Sequence, residues 1–262
     1  MGITELEVAK KAAIEGGRVV MEYYGKVSLT YKKDRSITTE ADLASEKKIK
    51  KIIEAEFPTH SLLGEEFGLE ERHSEYKWII DPLDGTTNYW IRNPFFGVSI
   101  ALTVKDEPII GVVYYPIMDE LFYAQKGEGA YLNNSQISVS ETSKIADSVL
   151  TYCHGRDEKS IKEIIRIFGK LKLISNKTRH LGAAALELCY VACGRTDAFY
   201  VVGLNSWDVA AGITIVRESG GVVSDFEGRP FRNKTKNLLT SNGKIHQQLI
   251  ELIQNPKTVS IN

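Results

Sequence analysis

Cysteine is scarce in this sequence: three in 262 residues, Cys153, Cys189 and Cys193, with no CxxC spacing. An odd count without paired spacing excludes a disulfide scaffold or a zinc ribbon and fits a chain kept reduced inside the cell. Long apolar runs are also missing. None approaches the roughly 18–20 residues of a membrane span, and Met1–Lys11 is charged, without the apolar stretch of a secretory leader. Neither sign of charge dominates. Lys and Arg number 33 against 34 Asp and Glu, a net charge of −1, so no nucleic-acid footprint and no polybasic membrane patch is expected. Repeats, low-complexity tracts and long linkers are absent. What remains is a cytoplasmic globular chain whose partner is a small molecule. Hydrophobic residues at 43% and charged residues at 26% are ordinary for that class. A chain of this length buries roughly 70–75% of its unfolded surface, enough for one large core or two packed ones.

Periodicity divides the chain near residue 140. Before it, Leu6, Ala9, Ala13, Val20 and Tyr24 recur at helical spacing, with Gly16-Gly17 as a close-packing point. A second helix is expected from about Ala41 to Glu56, with Ile49, Ile52 and Ile53 inward. Two short apolar runs, Ser61–Gly64 and Trp78–Ile80, read as buried strands that end in acidic residues. From Phe95 to Ser140, turn signals about ten residues apart predict an antiparallel meander. After residue 140 the pattern predicts helices at Glu158–Gly169, Gly182–Gly194, Trp207–Ser219 and Lys244–Gln254. Strands are predicted at Leu171–Ile174, Ala198–Val201, Gly221–Ser224 and Asn237–Thr240. The expectation is one compact unit in two parts, 1–140 and 141–262.

The chemistry concentrates in Asp81-Pro82-Leu83-Asp84-Gly85-Thr86-Thr87-Asn88. Two carboxylates three residues apart across a Pro-containing turn can aim at hard cations together with a backbone carbonyl. Gly85 permits tight backbone geometry, and amides at the opening of a following helix can hold phosphate. A plain Asp-Pro turn with an N-cap is the competing reading. Other acids fall at element ends: Glu65-Glu66 after the first apolar run, and Asp208 in Trp207-Asp208-Val209-Ala210-Ala211-Gly212. Each alone reads as a solvated strand end or a helix cap. Asp42, in Thr39-x-x-Asp42, reads first as a capping box. Converged, such carboxylates repel one another unless divalent cations neutralise them. Cys189 and Cys193, four apart on a helix, read as core; His154 and His180 read as solvated.

Gly64-Glu65-Glu66, Asp81–Asn88 and Trp207–Gly212 resemble, in type, order and separation, the inositol monophosphatase family. The likeness extends to Pro94-Phe95, Gly111–Tyr114, Gly127-x-Gly129-Ala130 and Gly220-Gly221, nearly the whole chain. It implies an α+β or α/β fold, the layered αβαβα sandwich of the inositol monophosphatase and fructose bisphosphatase type. It implies a magnesium-dependent, lithium-sensitive hydrolase of small polyol or sugar phosphate monoesters, with two or three Mg2+ per site and a homodimeric assembly. By the same resemblance Glu65, Asp81, Asp84, Asp208 and the Leu83 carbonyl are metal ligands, with Glu65, Asp81 and Thr86 the catalytic set. Asp84, Gly85, Thr86 and Asp208 face the phosphate and substrate. Gly182, Ala183, Ala184 and Arg179 lie where the family meets the alcohol portion. Asp42 and Glu66 are accessory acids, and Lys33, or else Lys32, is the basic residue near the phosphate.

One position departs from the pattern. Inositol-selective members carry an acid seven residues before the equivalent of Asp208; here that residue is Val201. A site without that acceptor reads polyol hydroxyls less strictly, which brings in fructose 1,6-bisphosphate as in dual-specificity members. Histidinol phosphate and adenosine 3′,5′-bisphosphate are the alternative substrates, and a catalytically decayed cation or sugar-phosphate binding module is the non-enzymatic one. A haloacid-dehalogenase-type site would space its two aspartates by two residues, against three here.

Overall fold

The computed structural model describes residues 3–31, 37–231 and 235–255. The first half opens with α1 (Glu5–Tyr23), β1 (Thr30–Tyr31), β2 (Ile37–Thr38) and α2 (Glu40–Glu56), then β3 (Ser61–Gly64), β4 (Gly68–Glu70), β5 (Tyr76–Asp84) and α3 (Thr86–Trp90). The meander follows as β6 (Gly97–Val104), β7 (Glu107–Tyr115), β8 (Glu120–Gln125), β9 (Ala130–Leu132) and β10 (Ser135–Gln136). The remainder is β11 (Leu150–His154), α4 (Glu158–Ile174), α5 (Ala184–Ala192), β12 (Ala198–Val202), α6 (Ser206–Glu218), β13 (Val222–Ser224), β14 (Asn237–Ser241) and α7 (His246–Gln254).

Side-chain alternation builds five layers from these elements. The eight-stranded sheet runs β10-β9-β8-β7-β6-β5-β3-β4, antiparallel except for β3 against β5. On one face Trp78, Ile80, Ile100 and Val112 meet α1 and α2 through Val8, Ala12, Ile49 and Ile53. On the other, Ile79, Ala101 and Val113 meet α5 and α6. The second sheet, β11-β12-β14-β13, repeats the device. Phe199 and Val201 of β12 face α5 and α6, whereas Ala198 and Tyr200 face α4 and α7. This period of two, alternating across both sheets, produces the αβαβα sandwich.

Close packing explains the paired glycines of α1. A Cβ on Gly16 would come 2.7 Å from Ile49 Cδ1, and one on Gly17 2.5 Å from Tyr114 Cδ1. Two readings from sequence need correction. Leu171–Ile174 is the last turn of α4, not a strand: Ile164, Ile167 and Leu171 continue one buried helical stripe through Gly169, whose missing side chain faces open space. The strand in that region is β11, parallel to β12. The Asp81–Asp84 segment is likewise not a turn beyond its strand but the irregular end of β5. Asp81 pairs with Ser99 and Asp84 with Gly97, so β5 carries one extra residue. Pro82 has no N–H to give the ladder, and a bulge accommodates it.

Candidate active site

The bulge turns consecutive residues of β5 toward one end of the α5–α6 layer. Leu83 N–H donates to Asp81 Oδ1 at 3.0 Å, closing a tight local loop. Gly85 follows with φ +85°, and a Cβ there would come 3.0 Å from Ala183 Cβ and 3.1 Å from Phe95 O. Glycine is required on both counts, conformation and space. Gly85 is the N-cap of α3 and supplies no side-chain acceptor for the first amides of that helix, and Gly85, Thr86 and Thr87 line a cavity.

Asp84 reaches across to the second half of the chain. Its Oδ1 and Oδ2 accept Ala184 N–H at 3.0 Å and Ala185 N–H at 2.8 Å, capping α5, whose own N-cap Ala183 has no side-chain acceptor. Asn88 ties the same loop down, donating through Nδ2 to Leu181 O and Phe95 O. Asp208 sits in the first turn of α6, where Asn205 N–H donates to its Oδ2 at 2.6 Å. Asp42 is fully buried at the start of α2. Its Oδ2 completes the capping box with Thr39, and its Oδ1 accepts the Thr86 hydroxyl at 3.3 Å. That hydroxyl also lies 3.1 Å from Leu83 O. The capping reading of Asp42 and a place beside Thr86 therefore hold together.

These elements enclose a cavity of about 640 Å³ lined by Glu65, Asp81, Leu83, Asp84, Gly85, Thr86, Gly182, Ala184, Val201 and Asp208. Of the residues singled out from sequence, Ala183 is buried behind Gly85 and is not in the wall. Arg179 is not there either; its guanidinium donates to Thr178 O and Asn176 O within its own loop. Glu66 turns its backbone to Glu46, at 2.8 Å. Lys32 and Lys33 lie outside the described residues. The facing wall runs from Cys153 to Asp157 with Asn205 and Trp207; His154, read from sequence as solvated, and Trp207 of the Asp208 motif line it, while Cys153, Gly155, Arg156, Asp157 and Asn205 were not assigned to the site. Its signal was the run Leu150–His154, unrecognised as a strand whose end delivers His154 and Arg156.

Like charge dominates the floor. Burial pushes the Asp81 carboxyl well above the usual range, and Glu65, Asp84 and Asp208 push it further. Burial and Asp208 do the same to Asp84, against the two α5 amides. Asp208 rises to about 7, through burial and then Glu65, with Asn205 N–H, Arg156 and Lys236 opposing. Asp42 also rises to about 7 through burial, against its bonds to Thr39. Among the described residues no Lys or Arg forms an ion pair with Asp81, Asp84 or Asp208. Nor are three ligating side chains gathered there into a finished metal cage. Carboxylate oxygens gathered on one cavity, with Asp81 and Asp84 buried, nevertheless have the chemistry of a hard divalent cation site.

Residues 4–257 match the sequence model described as the inositol monophosphatase family. The chain belongs to that family. An inositol-1-monophosphatase of Synechocystis is 41% identical over 254 residues, covering 95% of this chain and 88% of the relative. A fructose-1,6-bisphosphatase/inositol-1-monophosphatase of Aquifex aeolicus is 36% identical over 260 residues, covering 98% and 97%. The crystal structure of extragenic suppressor protein suhB from Bartonella henselae superposes with a TM-score of 0.91 at 35% identity, covering 95% and 98% of the two chains. The inositol monophosphatase family is one of metal-dependent phosphoric monoester hydrolases, and this chain is an enzyme of that class. The layered fold expected from the resemblance is the family's fold.

Proposed function

We propose that this phosphatase uses magnesium to hydrolyse small polyol and sugar phosphate monoesters, inositol 1-phosphate and fructose 1,6-bisphosphate foremost, by direct attack of water. The observation that carries the reading is the convergence of Glu65, Asp81, Asp84 and Asp208 on one cavity, close enough to raise one another's carboxyls, beside Gly85–Thr87 at the start of α3. Glu65, Asp81 and the Leu83 carbonyl would hold one ion, and Asp81, Asp84 and Asp208 a second. A third, weaker ion would share Glu65 and Asp42. Bound there, divalent cations neutralise the carboxylates, acidify a water and stabilise charge on the phosphoryl and leaving oxygens.

The chain's own groups supply position. Thr86, with Asp42 and Leu83 O as hydrogen-bond partners at 3.3 and 3.1 Å, has its hydroxyl oxygen free to orient the attacking water. The amides after Asp84 hold phosphoryl oxygens as charge spreads over them. Gly182 and Ala184 leave room for the alcohol portion, and Val201 gives it an apolar rather than an acidic neighbour. Both parts of the chain, 1–140 and 141–262, are needed, since Asp208 and Asp84 come from different ones. A homodimer in the cytoplasm is the proposed setting. Among the described residues no helix is long and apolar enough to cross a membrane.

The test is hydrolysis of inositol 1-phosphate, fructose 1,6-bisphosphate, histidinol phosphate and adenosine 3′,5′-bisphosphate after chelation and after adding magnesium. Activity on the first two, lost with chelator and restored by magnesium, is expected. A single turnover in ¹⁸O-water should place the label in phosphate. Turnover unaffected by chelator, or a trapped acyl-phosphate, would overturn the mechanism.

A further inference from the structure

Glu46 lies one helical turn beyond Asp42 on α2 and is fully buried, yet it faces no substrate. Its Oε2 accepts Glu66 N–H at 2.8 Å and its Oε1 accepts Phe67 N–H at 3.1 Å. Only Glu65, Glu66 and Phe67 separate β3 from β4. The third amide of that turn, Glu65 N–H, donates to Ile80 O of β5 at 3.1 Å. Every backbone donor of the turn is therefore held, two by one carboxylate and one by the strand that carries Asp81. The carboxylate also dictates its neighbour: a Cβ on Gly64 would lie 1.8 Å from Glu46 Oε1. One turn further along α2, Lys50 stands 5.1 Å from the Phe67 ring centroid, closing the other side of the turn.

We infer that Glu46 is a positioning residue for metal binding: it locks the Glu65–Phe67 turn so that Glu65 is held toward Asp81. Burial works against an ionised Glu46, while the two amides and Lys50 favour it. A buried anion serving two backbone donors costs desolvation that an apolar residue would avoid, and the return is a fixed turn. The inference rests on the proposed role of Glu65 as a metal ligand.

The experiment measures the magnesium concentration for half-maximal activity and, without substrate, the rise in Tm caused by magnesium. Glu46→Gln keeps one acceptor but sets an NH2 against the second amide. Its magnesium requirement should rise about tenfold, the range for groups that orient a metal ligand. The magnesium-induced Tm rise should shrink, and KM at saturating magnesium should stay within about twofold, since the phosphate amides are untouched. A lowered Tm with both magnesium readouts unchanged would mean a merely structural role and overturn the inference. Gly64→Ala should reproduce the magnesium defect by displacing the carboxylate. Combined with Glu46→Ala, it should cost less than the sum of the two single changes, because the clash has gone; strict additivity would also overturn it. Glu65→Gln is the control. If it leaves the magnesium response unchanged, the ligand reading falls and takes the inference with it. If Glu65→Gln shifts the response and Glu46→Gln does not, the positioning role alone fails.

Discussion

Asp84 carries two burdens on one carboxylate, and its replacement separates them. Both oxygens cap α5, and the same oxygens face the other acids of the floor. In Asp84→Asn one α5 amide meets an NH2, a loss of about 1 kcal/mol, while one buried negative charge disappears. Tm without metal should move only a few degrees, whereas turnover should fall by several powers of ten because the proposed anionic ligand is missing. Calorimetry beside steady-state kinetics checks both, and near-normal turnover at saturating magnesium would sink the ligand assignment. Val201 is 3% exposed, yet it both lines the cavity and belongs to the core between α5, α6 and β12. Val201→Glu should therefore lower Tm and also shift preference toward inositol 1-phosphate over fructose 1,6-bisphosphate, by about ten- to a hundredfold in the ratio of kcat/KM. Equal loss on both substrates would show that only packing was damaged.

Elements bring the cavity's acids together by close approach of backbones. Gly111 of β7 lies directly under α6, the helix that carries Asp208, and a Cβ there would come 2.2 Å from Ala211 O. Backbone on both sides leaves nothing flexible to yield. Gly111→Ala should push α6 off the sheet at a cost of about 1–3 kcal/mol, and weaken magnesium binding as Asp208 draws away from Asp81. A thermal melt and a magnesium titration read the two effects. Gly169 of α4 gives the opposite sign. Nothing lies within 4 Å of a Cβ there and the backbone is helical. Gly169→Ala should raise stability by about 0.5–1 kcal/mol without touching activity. The same geometry explains why Leu171–Ile174 was misread: a surface glycine looks like a helix end when the stripe beyond it is not followed.

Over the whole molecule, the acid floor makes stability depend on pH and metal together. Glu187, fully buried on α5 behind the cavity, accepts Gly182 N–H through its Oε1. Burial pushes Glu187, Asp42 and Asp208 up to about 7, and Asp81 and Asp84 well above the usual range. The folded state thus binds protons that the unfolded chain has already released, so stability falls as pH rises through about 4 to 7 and beyond. His246 opposes this. Held between Ser224 and Ser241, it is pushed by burial down to about 4. The unfolded chain takes that proton first, and stability is lost as pH falls from about 6.5 through about 4. The two trends offset below pH 6.5, and above it only the carboxylates act. Chelated protein should therefore show a falling Tm from pH 6.5 to 8, and saturating magnesium should flatten that fall by standing in for the protons. A flat profile in chelator would mean that the carboxylates are not buried together.

The acid motifs, the glycines beside them and the alternation along β5 to β8 are local facts, and they were legible because each is written in a few consecutive residues. Spacing alone determined that Asp81 and Asp84 would travel as a pair next to Gly85, element ends offered Glu65 and Asp208, and family likeness supplied the role expected of all four. Whether Asp208 meets Asp84, 124 positions away in the chain, depends on α5 and α6 packing between two sheets. The bulge at Pro82, the capping of α5 by Asp84, the bond from Thr86 to Asp42 and the grip of Glu46 on the Glu65 turn are all contacts between distant segments. No window of sequence contains both partners, so only the tertiary structure could decide them.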